Sequence, residues 1–280
     1  MTSRIRDGRA ALAALLLALL PATSNAIEEV PFVTTPDKVT HAMLELAKVG
    51  PGDHVIDLGS GDGRIVITAA KRFGATGLGV EIVPDLVAKS VENARLAGVE
   101  GKVRFLVQDL FQTDLAPATV VTMYLLPDVN LKLRPSLLAL KAGTRIVSHD
   151  WDLGDWKPDR RLTIEDATKK IGLRKASDIY LWVVPTDVDG LWCGTGNATG
   201  TKMTISQSFQ RATGTVSNVR GVHHFEGRID ARRLDATSGD GKIGFDVSGD
   251  DLKVRGAEGV YAHLEGTPFK RSCCGSCRDY

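Results

Sequence analysis

The chain of 280 residues is 43% hydrophobic and 25% charged, and its 35 Lys and Arg against 34 Asp and Glu leave a formal net charge of +1. That balance suits a folded chain with a sizeable core. It also removes the electrostatic case for nucleic acid as a partner, because there is no excess of positive charge to neutralise phosphates.

The chain opens on "MTSRIRDGR", where Arg4, Arg6 and Arg9 face a single Asp7, and continues into the apolar "AALAALLLALL" and then "PATSNA". A basic start, a short apolar stretch and small residues at Ser24 and Ala26 predict a secretory signal peptide over 1–26. Cleavage after Ala26 would start the mature chain at Ile27, in the bacterial periplasm or its equivalent. The alternative is a retained N-terminal anchor at the membrane surface. The apolar stretch is shorter than the about 20 residues that a spanning helix needs.

From Pro36 to about Pro185, helical and strand patterns alternate. "PDKVTHAMLELAKVG" has Val39, Met43, Leu44 and Leu46 at helical spacing, with Gly50 as its stop. The strand "HVIDLG", the helix "RIVITAAKRFG", the strand "GLGVEI" and the helix "PDLVAKSVENARLAG" follow. Next come the strands "VRFLVQD" and "ATVVTMYLL", the helix "DVNLKLRPSLLALK" and the strand "TRIVSHD". The strands are almost continuously apolar, as parallel strands covered on both faces are. The alternation predicts an α/β fold built on a doubly wound, mostly parallel sheet over 27–186. "RRLTIEDA" and "DIYLWVVP", close together in sequence, predict an antiparallel pair at one edge. After Pro185 the texture changes to short strands such as "KMTISQSFQ", "ATGTVSNV", "HHFEGRIDARRL", "GKIGFDVSG", "DLKVRGAEG" and "YAHLEGTPF", separated by Gly, Asp and Ser turns. These predict a small antiparallel barrel or sandwich over 190–270, with a Cys-rich tail at 271–280.

The stretch "VIDLGSGDGR" sets Gly59, Gly61 and Gly63 between a strand ending at Asp57 and a helix starting near Arg64. Glycines there permit a tight turn and close approach of backbone to a ligand. The pattern is D-x-G-x-G-x-G rather than the dinucleotide fingerprint G-x-G-x-x-G. A carboxylate two residues before the first glycine repels a pyrophosphate and suits a cationic ligand. Glu81, at the end of the next strand, has the place of a carboxylate that takes a ribose diol, and Asp109, after the third, that of a partner for an adenine amino group. S-adenosyl-L-methionine (AdoMet) has a sulfonium, an amino group, a ribose and an adenine but no phosphate, and it matches this set.

"DLGSGDGR" followed by "GVE" resembles the signature of class I AdoMet-dependent methyltransferases. Between Pro31 and about Pro185, "PFVTTP", "DLGSGDGRIVI", "GVEI", "DLF", "VTMYLLP", "RIVSHDWDLGDW" and "YLWVV" are similar to the mitochondrial protein-lysine methyltransferases that act on the adenine nucleotide carrier and on a component of ATP synthase. They are similar too to bacterial relatives that carry a signal and a C-terminal β-domain. The resemblance implies a seven-stranded sheet and AdoMet held by Asp57, Gly59, Ser60, Gly61, Gly63, Glu81 and Asp109. It also implies transfer to a protein lysine, with a membrane-associated protein as one possible target. Two other readings stand beside it, a small-molecule methyltransferase and a non-catalytic AdoMet- or ligand-binding protein of the envelope.

Tyr124 and Pro127 follow the fourth strand, where many nitrogen methyltransferases place an aromatic residue and a proline. Tyr124 reads either as the lining of the methyl channel, with a hydroxyl for the incoming amine, or as an aromatic packed under the next helix. His149, Asp150 and Trp151 follow the fifth strand on the same edge, placed to shape a substrate mouth. No metal is expected at "SHDWD", where an isolated His beside carboxylates reads as a satisfied loop. His223 and His224 point to opposite faces of one strand, so they are expected at the surface and in the core rather than on a shared ligand. The β-domain is expected either to hold an apolar molecule in its barrel or to dock on the catalytic domain. In an oxidising compartment, a bond from Cys193 to the tail and one among Cys273, Cys274 and Cys277 would use all four cysteines.

Overall fold

The computed structural model describes residues 33–165, 175–273 and 275–277. The signal-peptide reading of 1–26, the cleavage point at Ala26 and Cys274 lie outside the described residues.

The first part is a seven-stranded sheet. Strands β1 (His54–Leu58), β2 (Thr76–Glu81), β3 (Val103–Val107), β4 (Val120–Met123) and β5 (Arg145–His149) run parallel, while β7 (Ala176–Val183) is antiparallel to both β5 and β6 (Arg160–Glu165). The order is β3-β2-β1-β4-β5-β7-β6, so the predicted antiparallel pair forms one edge, with its second strand placed inside. Period-two alternation divides the strand side chains between two cores. Val55, Val120 and Val147 face the helices α1 (Asp37–Leu46) and α2 (Arg64–Phe73). Ile56, Val121 and Ile146 face α4 (Pro127–Leu138), Trp156 and Trp182. The helix α3 (Pro84–Ala97) packs through Ala94 against Val66 and Val103. Each such fully buried aliphatic side chain contributes roughly 1.5–3 kcal/mol.

The second part is a closed antiparallel barrel of eight strands: β8 (Gly190–Gly194), β9 (Lys202–Ser208), β10 (Arg211–Asn218), β11 (Gly221–Asp230), β12 (Arg233–Ser238), β13 (Gly241–Ser248), β14 (Asp251–Gly259) and β15 (Pro268–Arg271). The strand β15 pairs with β8 and closes the ring. Two predicted strands are corrected. "HHFEGRIDARRL" is two strands, because the chain reverses at Ala231, whose φ is 50°. "YAHLEGTPF" begins with a 3-10 turn at Ala262–Leu264 and yields a strand only from Pro268. Inward positions Trp192, Met203, Ile205, Phe225, Phe245 and Phe269 are all buried, so the interior is a packed core and not a container for an apolar molecule. His224 is exposed and His223 half-buried, its ring edge-on to Tyr261 at 6.0 Å. Neither enters the core as expected, because the strand outruns the barrel there and leaves Val222 in water. Cys193 is bonded to Cys277, as the expected link between β8 and the tail requires.

Barrel and sheet meet at named contacts. Gln210 accepts from the Trp156 indole N–H at 2.8 Å and donates to Asp159 at 2.8 Å. Arg228 pairs with Asp159, Phe209 stacks on Trp156, and the Thr186 N–H donates to the Ala231 carbonyl. Asp159 in turn accepts from the Val183 N–H, and Val183 pairs with Arg145 at the amino end of β5. The barrel therefore docks at the amino-terminal edge of the sheet. The carboxyl-terminal end of β5 lies about 13 Å further along the strand, at a rise of about 3.3 Å per residue.

Candidate active site

The turn from β1 to α2 brings Gly59, Gly61 and Gly63 to φ values of 73°, 54° and 80°. A side chain at Gly63 would fall 2.7 Å from the Phe105 ring and one at Gly59 2.9 Å from Leu125, so glycine is required twice over. The N–H groups of Gly59 and Ser60 both donate to the Val80 carbonyl, that of Gly61 to the Glu81 carboxylate, and that of Gly63 to the Ser60 carbonyl. The loop thus uses these four amides on itself, where a phosphate-binding turn would direct them outward at an anion. This is a ligand loop without an anion nest.

Carboxylates surround it. Asp57 is 2% exposed on β1, and its Oδ1 accepts from the Thr122 hydroxyl at 2.7 Å, the two residues being register partners across β1 and β4. Burial, helped by the charges of Glu81 and Asp62 and opposed by the Thr122 bond, pushes its carboxyl up to about 7. Glu81 accepts from the N–H groups of Gly61, Ile82 and Val83, which fixes its carboxylate over the loop. Asp109 lies two residues beyond β3 and caps a 3-10 turn by accepting from the Phe111 N–H at 2.9 Å. Burial disfavours the charge of Asp62, but a two-pronged pair with Arg64 holds its carboxyl below the ordinary value. Sequence reasoning passed over Asp62, Arg64 and Thr122. The D-x-R spacing was a visible signal for the first two, whereas Thr122 is identified only by strand register.

The donor set fits AdoMet. A carboxylate held in the neutral range by its own acidic neighbours gains most from an added cation. In addition, the Ser60 hydroxyl is buried beside Gly79 with no hydrogen-bond partner among the described residues. Asp57, the glycine loop and Glu81 would hold the amino-acid part and the ribose.

Beyond β4 and β5 lies a second cluster. The Tyr124 hydroxyl donates to Asp150 Oδ2 at 3.3 Å, and its ring lies over His149 with centroids 3.9 Å apart. His149 is buried, with Nε2 at 2.8 Å from the Ser177 hydroxyl and Nδ1 at 3.3 Å from that of Thr35. Trp151 is exposed beside them. Burial and the Asp150 charge push the Tyr124 phenol up to about 12. Pro127 is exposed and begins α4, a position where a missing N–H is tolerated. Tyr124 thus joins Asp150 and His149, whereas Pro127 sets a helix start. Among the described residues, no group of His, Cys, Asp and Glu is arranged to hold a metal ion.

Comparison with known proteins agrees with this geometry. The ANTKMT methyltransferase domain matches residues 57–160. A protein-lysine N-methyltransferase of Saccharolobus islandicus is 42% identical over 160 residues, covering 56% of this chain and 96% of the relative. The chain belongs to the ANTKMT methyltransferase family. The mouse adenine nucleotide translocase lysine N-methyltransferase is 34% identical over 131 residues, and there the match spans 46% of this chain and 57% of the relative. A crystal structure described as an RNA methyltransferase from Salinibacter ruber, in complex with S-adenosyl-L-homocysteine, is 50% identical over 56% of this chain and 96% of that one, with a TM-score of 0.51. The methyltransferase sheet and its glycine loop are thus the shared part. The family domain begins at Asp57 itself.

Proposed function

We propose that this methyltransferase binds AdoMet along the carboxyl edge of β1, β2 and β3 and transfers its methyl group to the amine of a protein lysine. The observation that carries the cofactor reading is the buried Asp57, ringed by Glu81 and Asp62, beneath a glycine loop whose amides are turned inward. The bound cofactor supplies an electrophilic methyl group on a sulfonium. The chain has to align the acceptor and exclude water. A lysine amine, with a reference pKa of about 10.4, must reach the site without its proton. The half-buried channel beside Tyr124 favours the neutral amine by desolvation, so no strong base is required.

The Saccharolobus, mouse and other curated relatives are named for lysine acceptors, among them ATP synthase and the adenine nucleotide translocase. Asp150 and Asp152 beside the mouth favour a cationic side chain over a phosphate-rich acceptor, and the exposed Leu126 and Trp151 suit an apolar, membrane-associated protein. An envelope location, reached or held through segment 1–26, is part of the same proposal. The Cys193–Cys277 bond supports it, since such bonds persist in oxidising compartments.

The test incubates the full chain and AdoMet carrying a labelled methyl group with separated protein, RNA and small-molecule fractions, followed by mass spectrometry. Label on a lysine is the expected result. Label on RNA would favour the acceptor named for the Salinibacter structure, and label only in small molecules would overturn the protein reading. Bound AdoMet with no label anywhere would leave a non-catalytic binding protein.

A further inference from the structure

The cluster beyond β4 and β5 contains one residue in a conformation that needs a reason. Asp150 has a φ of 62°, in the left-handed region that non-glycine residues seldom occupy, although Asp and Asn tolerate it best. Its backbone N–H donates to the Asp178 carbonyl at 2.7 Å, and its Oδ1 accepts from the Asp178 N–H at 3.1 Å. One carboxylate oxygen is therefore tied to β7. The other, Oδ2, is left facing the Tyr124 hydroxyl at 3.3 Å and His149 Nε2 at 3.5 Å. Tyr124 follows Met123, the register partner of Leu58, so it stands at the sheet edge next to the glycine turn.

A neutral amine has two N–H donors and one lone pair, and only the lone pair can form the new bond. A protein acceptor near the nitrogen takes an N–H and leaves the lone pair available. A protein donor in the same place captures the lone pair. A tyrosine hydroxyl can be either, and its partner decides which. We propose that Asp150 is a positioning residue for methyl transfer: by accepting the Tyr124 hydroxyl proton, it turns the phenol oxygen's lone pairs toward the acceptor nitrogen. The left-handed backbone at Asp150 holds the carboxylate where it does this, and the His149 ring beneath Tyr124, fixed by Ser177 and Thr35, holds the phenol in reach. This rests on the amine-acceptor reading above.

Asp150→Asn is a discriminating variant, because asparagine accepts the same φ and its carbonyl can still take the Asp178 N–H. Its amide N–H₂ then falls in the place of Oδ2 and donates to the phenol oxygen, which reverses the hydrogen bond and turns the hydroxyl proton toward the amine. The full chain labelled at tyrosine Cζ reports this directly by carbon NMR without cofactor, with the Tyr124 resonance assigned by its loss in Tyr124→Phe. In Asp150→Asn the Tyr124 resonance should move while the other tyrosines stay. With polylysine as acceptor, kcat should fall about 10- to 100-fold, with the Kd for AdoMet within about twofold of the parent. Adding Tyr124→Phe to Asp150→Asn should bring activity back to that of Tyr124→Phe alone. An unmoved resonance, a kcat within about twofold of the parent, or losses that multiply in the double variant would each overturn the proposal. A parent chain that methylates no lysine acceptor fails differently, since it sinks the amine reading itself whatever the resonance does.

Discussion

The sheet and the barrel handle buried polarity in opposite ways. Among the described residues, every ionisable side chain below about a tenth exposure, namely Asp57, Asp62, His149 and Asp178, belongs to the sheet part. The barrel interior is apolar, and its outer face carries an open groove of about 730 Å³ lined by side chains such as Thr204, Ser206, Thr215 and Glu226 that face water. Burying a carboxylate is unfavourable unless something compensates, so four such groups gathered toward one sheet edge mark where a ligand is expected. The barrel has no comparable arrangement. Its docking contacts lie at the opposite edge, and its role is that of a stably folded attachment rather than a wall of the site.

The largest effect should separate the two parts by redox chemistry. The Cys193–Cys277 bond spans a sequence separation of 84 and lies wholly in the barrel and its tail. Loss of a cross-link over a loop of that length removes about 4–5 kcal/mol in the chain-entropy account. Reduction, or Cys193→Ser, should lower the Tm of the barrel strongly while leaving the Kd for AdoMet unchanged. A parallel loss of cofactor affinity would show that the parts are coupled after all.

Next in size is Asp57→Asn, for which stability and binding should move in opposite directions. The folded carboxyl sits at about 7 against an ordinary 3.8, so the folded chain binds the proton more tightly than the unfolded one. Stability of the ligand-free protein should therefore fall as pH rises from about 4 to about 7 and level off above, and Asp57→Asn should flatten that slope and raise Tm at pH 8. Affinity should follow the reverse course. A cationic ligand favours the ionised carboxylate, so the Kd for AdoMet should rise as pH drops below about 7, and Asp57→Asn should weaken binding about 100-fold, the range expected when one partner of a buried charge pair is removed. Calorimetry across pH on both proteins checks both signs.

A smaller effect comes from the seam between the parts. Gln210→Ala leaves the buried Trp156 indole N–H without its acceptor and Asp159 without one donor, at a cost of about 1–3 kcal/mol. Thermal unfolding should then divide into two transitions, with kcat per folded molecule unchanged. A changed kcat would give the barrel a part in catalysis.

Local chemistry was legible in the sequence where one segment carries the whole cause. The glycine turn is one such case, since three glycines between an apolar strand and a helix require positive φ at those positions. Asp57 and Glu81 at strand ends are another, and so is the antiparallel edge pair. What escaped depends on residues far apart along the chain. Thr122 reaches Asp57 across 65 positions and Trp156 reaches Gln210 across 54, and no local period encodes either contact. The left-handed backbone at Asp150 was hidden for a different reason, since it follows from hydrogen bonds to Asp178 on another strand. Closure of the barrel likewise depends on β15 meeting β8, the last strand and the first.

The smallest expected effect sharpens the comparison most. The Ser60 hydroxyl is buried in the ligand loop with no partner among the described residues, and a buried hydroxyl without a partner is a net loss to the folded state. Elsewhere in the sheet, the buried hydroxyls of Ser90 and Thr122 are paired, to the Gly61 carbonyl and to Asp57. If Ser60 were there for the fold, its removal should destabilise. If it is kept for the ligand, Ser60→Ala should leave the ligand-free Tm unchanged or raise it slightly, by less than about 1 kcal/mol in stability. The same substitution should weaken AdoMet binding by about three- to tenfold, the worth of one neutral hydrogen bond of about 0.5–1.5 kcal/mol. Thermal shift with and without AdoMet distinguishes the two: the gap between the two melting temperatures should narrow from the side of the bound form alone. A lower ligand-free Tm with the gap preserved would return Ser60 to the scaffold, and with it the claim that unsatisfied polarity in this sheet marks the cofactor.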